Sequence, residues 1–359
     1  MTRRPLLHRG PGRAVLGTVL AVLVSAPLLS ACGGDDPADP SSGSGSPAAS
    51  STELPSSPVD ASIQLGWFPN VESAAFVMAD EDGEYEERNV NATLLPGGPN
   101  VTVAPLIESG NVLVGLLSLE RFADAVSQGA DLVAVGAEYQ TATSAIVSLA
   151  SSPIETPKDL EGKRFGVSAS DTQTYTAFFA MNDVDTSKIE FVSTNGNAAA
   201  LTAGEVDAIS STIPNDPVVL AAQGVQTHQL RLADYDFNRW SGLLVVARAS
   251  LEDPAKRAAI GAVLQASAAG EQTAIDDPER TAQTVVDVYG QSQGLQYDAQ
   301  LGSLQEWNEL ATAGSVADDG LFRITEEGKA RAADFLEQIG STVDLDTAFD
   351  LSVGEDYLG

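Results

Sequence analysis

Residues 90–137 read VNATLLPGGPNVTVAPLIESGNVLVGLLSLERFADAVSQGADLVAVGA. Three short apolar runs stand out, Val90 to Leu95, Val112 to Leu117 and Asp131 to Ala137. Between them lie two helical patterns, one ending at Gly110 and one from Leu119 to Gln128. Short apolar runs alternating with amphipathic helices imply a mostly parallel sheet covered by helices. Upstream, a strand from Ala61 to Trp67 leads through Pro69-Asn70 into a helix from Val71 to Asp82. Downstream, after Ile146-Val147-Ser148-Leu149, the rhythm repeats. Strands are predicted at Lys163 to Val167, Ile189 to Val192, Val206 to Ser210 and His228 to Leu232. Helices are predicted at Thr172 to Met181, Ala198 to Ala203 and Pro217 to Ala222. A strand from Leu243 to Ala247 returns to the first set, and the chain then turns helical to its end. The expected architecture is an α/β clamp of two lobes with two crossover segments and a helical C-terminal part. Lobe 1 takes residues 61–147 plus 241–359, and lobe 2 takes 148–240.

The N-terminus has a different chemistry. Arg3, Arg4, Arg9 and Arg13 precede an apolar run from Ala14 to Leu29, and no acid occurs before Asp35. A basic flank, an apolar core too short for a comfortable membrane span and small residues before a cut make a secretory signal. The cut is legible in Leu29-Ser30-Ala31-Cys32, which resembles the lipobox of bacterial lipoproteins. That resemblance implies a signal peptide over 1–31 and acylation of Cys32, with palmitate-type chains holding the protein to the extracytoplasmic face of the cell membrane. Cys32 is the single cysteine of 359 residues, so the folded part contains no disulfide and no cysteine metal site.

Residues 33–60, GGDDPADPSSGSGSPAASSTELPSSPVD, offer almost nothing to bury. With Cys32 they are expected to form an unstructured tether with a reach of roughly 30 Å. About 300 residues remain, enough for two lobes with cores of their own. The formal charge is −31, and it becomes more negative once the signal arginines are gone. That argues against nucleic acid and anionic lipid surfaces as partners.

A family resemblance rests on several segments in order. They are Leu65-Gly66-Trp67-Phe68-Pro69-Asn70, Leu95-Pro96-Gly97-Gly98-Pro99, Leu132 to Gln140, Pro157 to Val167, Leu201 to Ala208 and Val343 to Phe349. Together they resemble the binding proteins of ABC importers in the thiamine-pyrimidine-precursor, alkanesulfonate, nitrate and taurine group. The resemblance implies a type II periplasmic-binding-protein fold, a small-molecule ligand between the lobes, and an ABC permease with its ATPase as partner. It implies a monomer, no cofactor and no catalytic activity. The Trp-x-Pro-Asn opening and the Pro-Gly-Gly-Pro turn lean towards a heteroaromatic ligand of the thiamine-pyrimidine type; an alkanesulfonate, nitrate, taurine or flavin precursor is the alternative. Leu117-Ser118-Leu119 stands where an aromatic residue is common in that branch.

In open α/β sheets the ligand lies beyond the carboxyl ends of the strands. Trp67 falls there and offers a stacking face, with core packing as its other role, and Asn70 offers paired amide groups or a helix cap. Gly97 and Gly98 expose amides that could hold an anion, or serve a turn that needs glycine. Ser118, Tyr139 and Gln140 follow the third and fourth strands. Ser168, Ser170 and Asp171 line a strand-to-helix turn, with an N-cap as the structural alternative. Asn215 and Asp216 follow the fifth strand region. Trp240, near the second crossing, is expected to stack with Trp67 around a planar ligand.

An enzyme and a sensing lipoprotein are the rival classes. Fungal pyrimidine synthases resemble the group but use a histidine in the helix after the Trp-x-Pro-Asn segment. Here that helix reads VESAAF, and the two histidines are His8 and His228. No Ser-His-Asp set, HExxH or P-loop is present.

Overall fold

The computed structural model describes residues 53–359 apart from Ser170, 195–197 and Ser315. The expected signal sequence, Cys32, most of the expected tether and the candidate Ser170 lie outside the described residues. The packed chain includes Glu53 onward. Pro55 is buried and its carbonyl accepts from Asn89 Nδ2 at 2.8 Å, while the Glu53 carbonyl accepts from Tyr357 Oη at 3.4 Å. Residues 53–60, expected as tether, therefore belong to the fold. The cause is strand pairing, because Val59 and Asp60 form rungs with Val90 and Asn91.

Ten strands are described: β1 Val59–Gln64, β2 Val90–Leu95, β3 Val114–Leu117, β4 Leu132–Tyr139, β5 Ser144–Leu149, β6 Arg164–Val167, β7 Glu190–Ser193, β8 Ala208–Thr212, β9 Thr227–Arg231 and β10 Ser241–Ala247. They form two five-stranded sheets, ordered β2-β1-β3-β10-β4 and β7-β6-β8-β5-β9. In the first, β2 and β3 run parallel to β1 while β10 is antiparallel to β3 and β4. The second repeats this plan: β7 and β8 run parallel to β6, and β5 is antiparallel to β8 and β9.

The first sheet thus takes β1 to β4 and the returning β10, the second takes β5 to β9, and the chain crosses twice, after β4 and after β9. Ser144 to Ser148 pair with Thr212 to Ala208, so the first change of sheet falls between Tyr139 and Ser144 and not at residue 147. Parallel pairs need crossovers long enough to hold a helix. β4, the edge strand antiparallel to β10, is buried along all eight residues because the helices Val103–Glu108, Leu345–Ala348 and Ser352–Leu358 pack on it.

The helix expected from Val71 to Asp82 is divided into a 3-10 turn at Val71–Ser73 and an α-helix at Ala74–Glu81. Asn70 starts it, its side-chain oxygen accepting from Glu72 N at 2.7 Å. The C-terminal part is helical as expected, with Pro254–Asp276, Pro278–Gln293, Tyr297–Ala311 and Glu326–Gln338. Asp253 caps the longest, accepting from Ala255 N and Lys256 N ahead of a proline in the first turn, a favoured start. Among the described residues no helix is long and apolar enough to cross a membrane.

Candidate functional site

The carboxyl ends of strands from both sheets converge on one cavity of about 300 Å³. The first sheet contributes Trp67, Asn70 and Glu72 after β1, Ser118 and Arg121 after β3, and Glu138 and Tyr139 at the end of β4. The second contributes Asp171 and Tyr175 after β6, Ser211 and Thr212 at the end of β8, and Asn215 and Asp216 after it. Thr143, Ser144 and Arg239 come from the crossings and the adjoining start of β5. Trp67, Asn70, Ser118, Tyr139, Asp171 and Asn215 are therefore brought together as candidates.

The lining carboxyls Glu72, Asp171 and Asp216 accept from named neighbours, whereas Glu138 Oε1 has no partner. Tyr139 Oη donates to the Glu72 carbonyl at 3.0 Å and its ring packs on Trp307 with centroids 4.7 Å apart. Asn215 Nδ2, from the second sheet, donates to Glu72 Oε2 at 3.4 Å. Burial pushes the Glu72 carboxyl up to about 7 despite that bond. Burial likewise pushes Asp216 up to about 6, although Ser211 Oγ donates to it at 2.8 Å. Glu138 is raised well above the ordinary range by burial first and then by the nearby acids Glu271 and Glu72. Glu271, on Pro254–Asp276, is itself pushed up to about 7 by burial.

The two arginines are already engaged. Arg121 Nη2 donates to Asp171 Oδ1 at 2.9 Å. Arg239 Nη1 donates to Glu120 Oε1 at 2.6 Å, and its Nε and Nη2 reach Ser144 Oγ at 3.1 and 2.8 Å. Thr174 Oγ1 donates to the same Glu120 oxygen at 2.7 Å. Burial alone would raise Glu120, but Arg239, Arg121 and Thr174 outweigh it and hold the carboxyl below the ordinary range. The Glu120 cluster and the Glu72–Asn215 bond both join elements of the two sheets, so the cavity is closed by polar contacts on two sides.

The model of the family described as NMT1/THI5 like matches residues 70–281, more than half of the chain. The chain belongs to the NMT1/THI5-like family. A Haemophilus influenzae protein, named provisionally as a thiamine biosynthesis protein, is 26% identical over 162 residues, which are 43% of this chain and 50% of that protein. The chain thus spans about half the length of the curated relative it matches.

The fold is that of periplasmic binding proteins. The alkanesulfonate-binding protein SsuA of Xanthomonas axonopodis pv. citri, solved with MOPS, superposes with a TM-score of 0.62 at 18% identity, over 82% of this chain and 99% of that one. The periplasmic nitrate-binding protein NrtA of Synechocystis PCC 6803 gives 0.62 at 10%, over 85% and 89%. A desulfurization enzyme, DszB, shares the fold at 0.54 and 15%, over 83% and 99%.

Within this NMT1/THI5-like chain several expected site residues stand elsewhere. Trp240 is buried to 1% exposure in the core with Phe237 and Phe335 and is not part of the cavity lining. It has no free face to stack with Trp67. Gly97 and Gly98 are a backbone device. A Cβ on Gly97 would stand 2.3 Å from the Leu65 carbonyl oxygen and 2.6 Å from Trp67 N, and one on Gly98 would meet the Phe68 ring at 2.9 Å. The turn needs glycine because it lies flat against the loop that presents Trp67, with Gly97 N donating to the Trp67 carbonyl at 2.9 Å.

Gln140 is spent on the fold, donating to the Arg323 carbonyl. Ser168 is outside the lining and positions a residue within it: its Oγ donates to Asp171 Oδ2 at 2.8 Å and accepts from Asp171 N at 3.2 Å. Glu72, Arg121, Glu138 and Arg239 are lining residues that the pattern of the sequence did not single out. An acid inside the apolar run LVAVGAEY was the one available signal. Among the described residues, no group of three or more His, Cys, Asp or Glu side chains could hold a metal ion.

Proposed function

We propose that the chain is an extracytoplasmic solute-binding lipoprotein of an ABC importer. Anchored through Cys32 to the outer face of the cell membrane, it captures a small planar nitrogen heterocycle of the thiamine-pyrimidine type and presents it to a permease. The observation that carries this reading is the cavity lining. Walls from both sheets meet on a space of about 300 Å³, at the lower end of ordinary ligand pockets. That suits a single ring better than a flavin.

The lining also separates this ligand from those named for the structural neighbours. It holds Glu72, Glu138, Asp171 and Asp216 against two arginines that are both ion-paired. An alkanesulfonate or nitrate placed there would face carboxyl groups with no unpaired cation among the lining residues named, a costly burial. A neutral or basic ring with hydrogen-bond donors meets those groups favourably, and Trp67 supplies an aromatic surface beside it. His228 lies in β9, outside the lining, which favours capture over catalysis. Capture works by population shift, because a ligand touching both walls favours the closed form.

A thermal-shift screen of the full-length protein tests this with 4-amino-5-hydroxymethyl-2-methylpyrimidine, riboflavin, taurine, an alkanesulfonate and nitrate. The pyrimidine is expected to stabilise at concentrations near 100 times Kd by about 2.7 kcal/mol, and Trp67→Ala to remove most of that. Stabilisation by sulfonate or nitrate alone would refute the reading.

A further inference from the structure

The cavity holds polar atoms that the protein leaves unmet. Glu138 is 4% exposed, lines the space, and its Oε1 has no hydrogen-bond partner. Ser118 Oγ, after β3, and Thr212 Oγ1, at the end of β8, line the same space and also lack partners. A buried polar group without a partner costs about 1–3 kcal/mol, and more if charged. Such groups are rare enough in folded proteins that each calls for a reason. Three around one cavity, drawn from both sheets, mark where the polar atoms of an occupant belong.

The surroundings of Glu138 state which kind of atom that is. Glu271 stands behind it on Pro254–Asp276 and Glu72 faces it from the Val71–Ser73 turn. Tyr139 is its chain neighbour, and Gly242 of β10 lies over it, so close that a Cβ there would come within 2.8 Å of Glu138 Oε2. No cation is among these neighbours; Arg121 and Arg239 are bonded to Asp171 and Glu120. An acceptor set among acids is complemented by N–H donors and by positive charge. Burial first, and then Glu271 and Glu72, favour the protonated carboxyl when the site is empty, against a hydrogen bond with Tyr139; a basic ligand that takes up this proton leaves an acceptor-only carboxylate facing its N–H donors.

We propose that Glu138 is the specificity-determining residue of this site, its carboxyl receiving the N–H donors of an amidine-type edge, an amino group beside a ring nitrogen. The ligand class is then amino-substituted nitrogen heterocycles and related planar amidines, and their oxo counterparts are rejected. This rests on the reading of the cavity as a heterocycle site and adds which edge of the ring is read, and by which residue. Sites that hydrogen-bond a specific donor discriminate strongly against an analogue lacking it, because the protein group is left unpaired.

Isothermal titration of the full-length protein with two isosteric probes provides the test, 4-amino-5-hydroxymethyl-2-methylpyrimidine and its 4-oxo twin. The wild-type protein is expected to bind the amino compound at least about tenfold tighter, one unmet buried donor or acceptor being sufficient for that ratio. Glu138→Gln, matched in size to the protonated acid, is expected to bring the ratio close to one while its unliganded melting temperature stays near that of the wild type. Glu138→Asp, which withdraws the carboxyl by one methylene, serves if the glutamine variant does not fold, and is expected to lose affinity for the amino compound selectively. Equal wild-type affinities, or an undiminished ratio in a folded Glu138 variant, would overturn the assignment and leave the heterocycle reading standing. Binding of neither pyrimidine would overturn both.

Discussion

Arg239 shows how much of the cavity rests on one side chain. It lies on the second crossing, 8% exposed, and ties Glu120 of the first half to Ser144 at the start of β5. Two buried charges attract strongly in a low-dielectric interior, but removing one leaves the other without compensation. Arg239→Met is therefore expected to destabilise the protein by about 3–5 kcal/mol, read as a lower urea midpoint. The double variant Glu120→Gln, Arg239→Met should recover a large part of that loss, since no unpaired charge remains. A double variant as unstable as the sum of its single changes would show that the pair does not act as a unit. Nothing local announces this residue: Arg239 and Glu120 are 119 positions apart, and each alone looks like an ordinary surface charge.

Helix packing sets the position of the acids at the next scale. The helices Ala74–Glu81 and Pro254–Asp276 cross at Gly270, where a Cβ would lie 2.0 Å from the Ala75 carbonyl oxygen and 2.6 Å from Ala79 N. Gly270→Ala gains up to about 1 kcal/mol of helix propensity, yet it forces two backbones apart and is expected to lose about 1–3 kcal/mol net. Thermal melting decides between these, and a raised melting temperature would mean the helices separate freely. Elements of this kind were legible where the local pattern is strong. β2 at Val90–Leu95 and the helix Thr172–Met181 have the bounds that periodicity predicts, because the apolar positions and flanking turn residues agree. The candidate site was legible only in part. Trp67 and Asn215 follow strands in the manner of ligand residues, whereas the burial of Glu72 depends on Asn215, 143 positions away, and on Tyr139, 67 away. Trp240 misled for the same reason, since its neighbours Phe237 and Phe335 come from the crossing and from a late helix.

Across the whole molecule, the buried acids give the fold an unusual dependence on pH. Glu72 and Glu271 are pushed up to about 7, Asp216 to about 6, and Glu138 also upward, in each case by burial first. The folded chain therefore holds more protons than the unfolded chain above the ordinary carboxylate range of about 4–4.5. Stability falls with rising pH wherever the native state binds the extra protons, by up to about 1.4 kcal/mol per pH unit for each group in the course of titrating. The contribution of these acids is thus complete below about pH 4.5 and is lost as pH climbs through 6 and 7. Glu120, held low by its arginines, works in the opposite sense and loses its contribution only on acidification below its ordinary value. The ligand-free protein is expected to be most stable near pH 5 and to weaken steadily towards pH 8, measured as urea unfolding free energy at fixed ionic strength. The overall charge of −31 also disfavours compactness as acids ionise, but that repulsion is between exposed groups and is screened by salt. The buried contribution is not. A slope that survives 0.5 M NaCl and flattens in Glu72→Gln, Glu271→Gln belongs to the buried acids. Stability that stays level or rises between pH 5 and 8 would show that these carboxyls remain ionised in the folded protein.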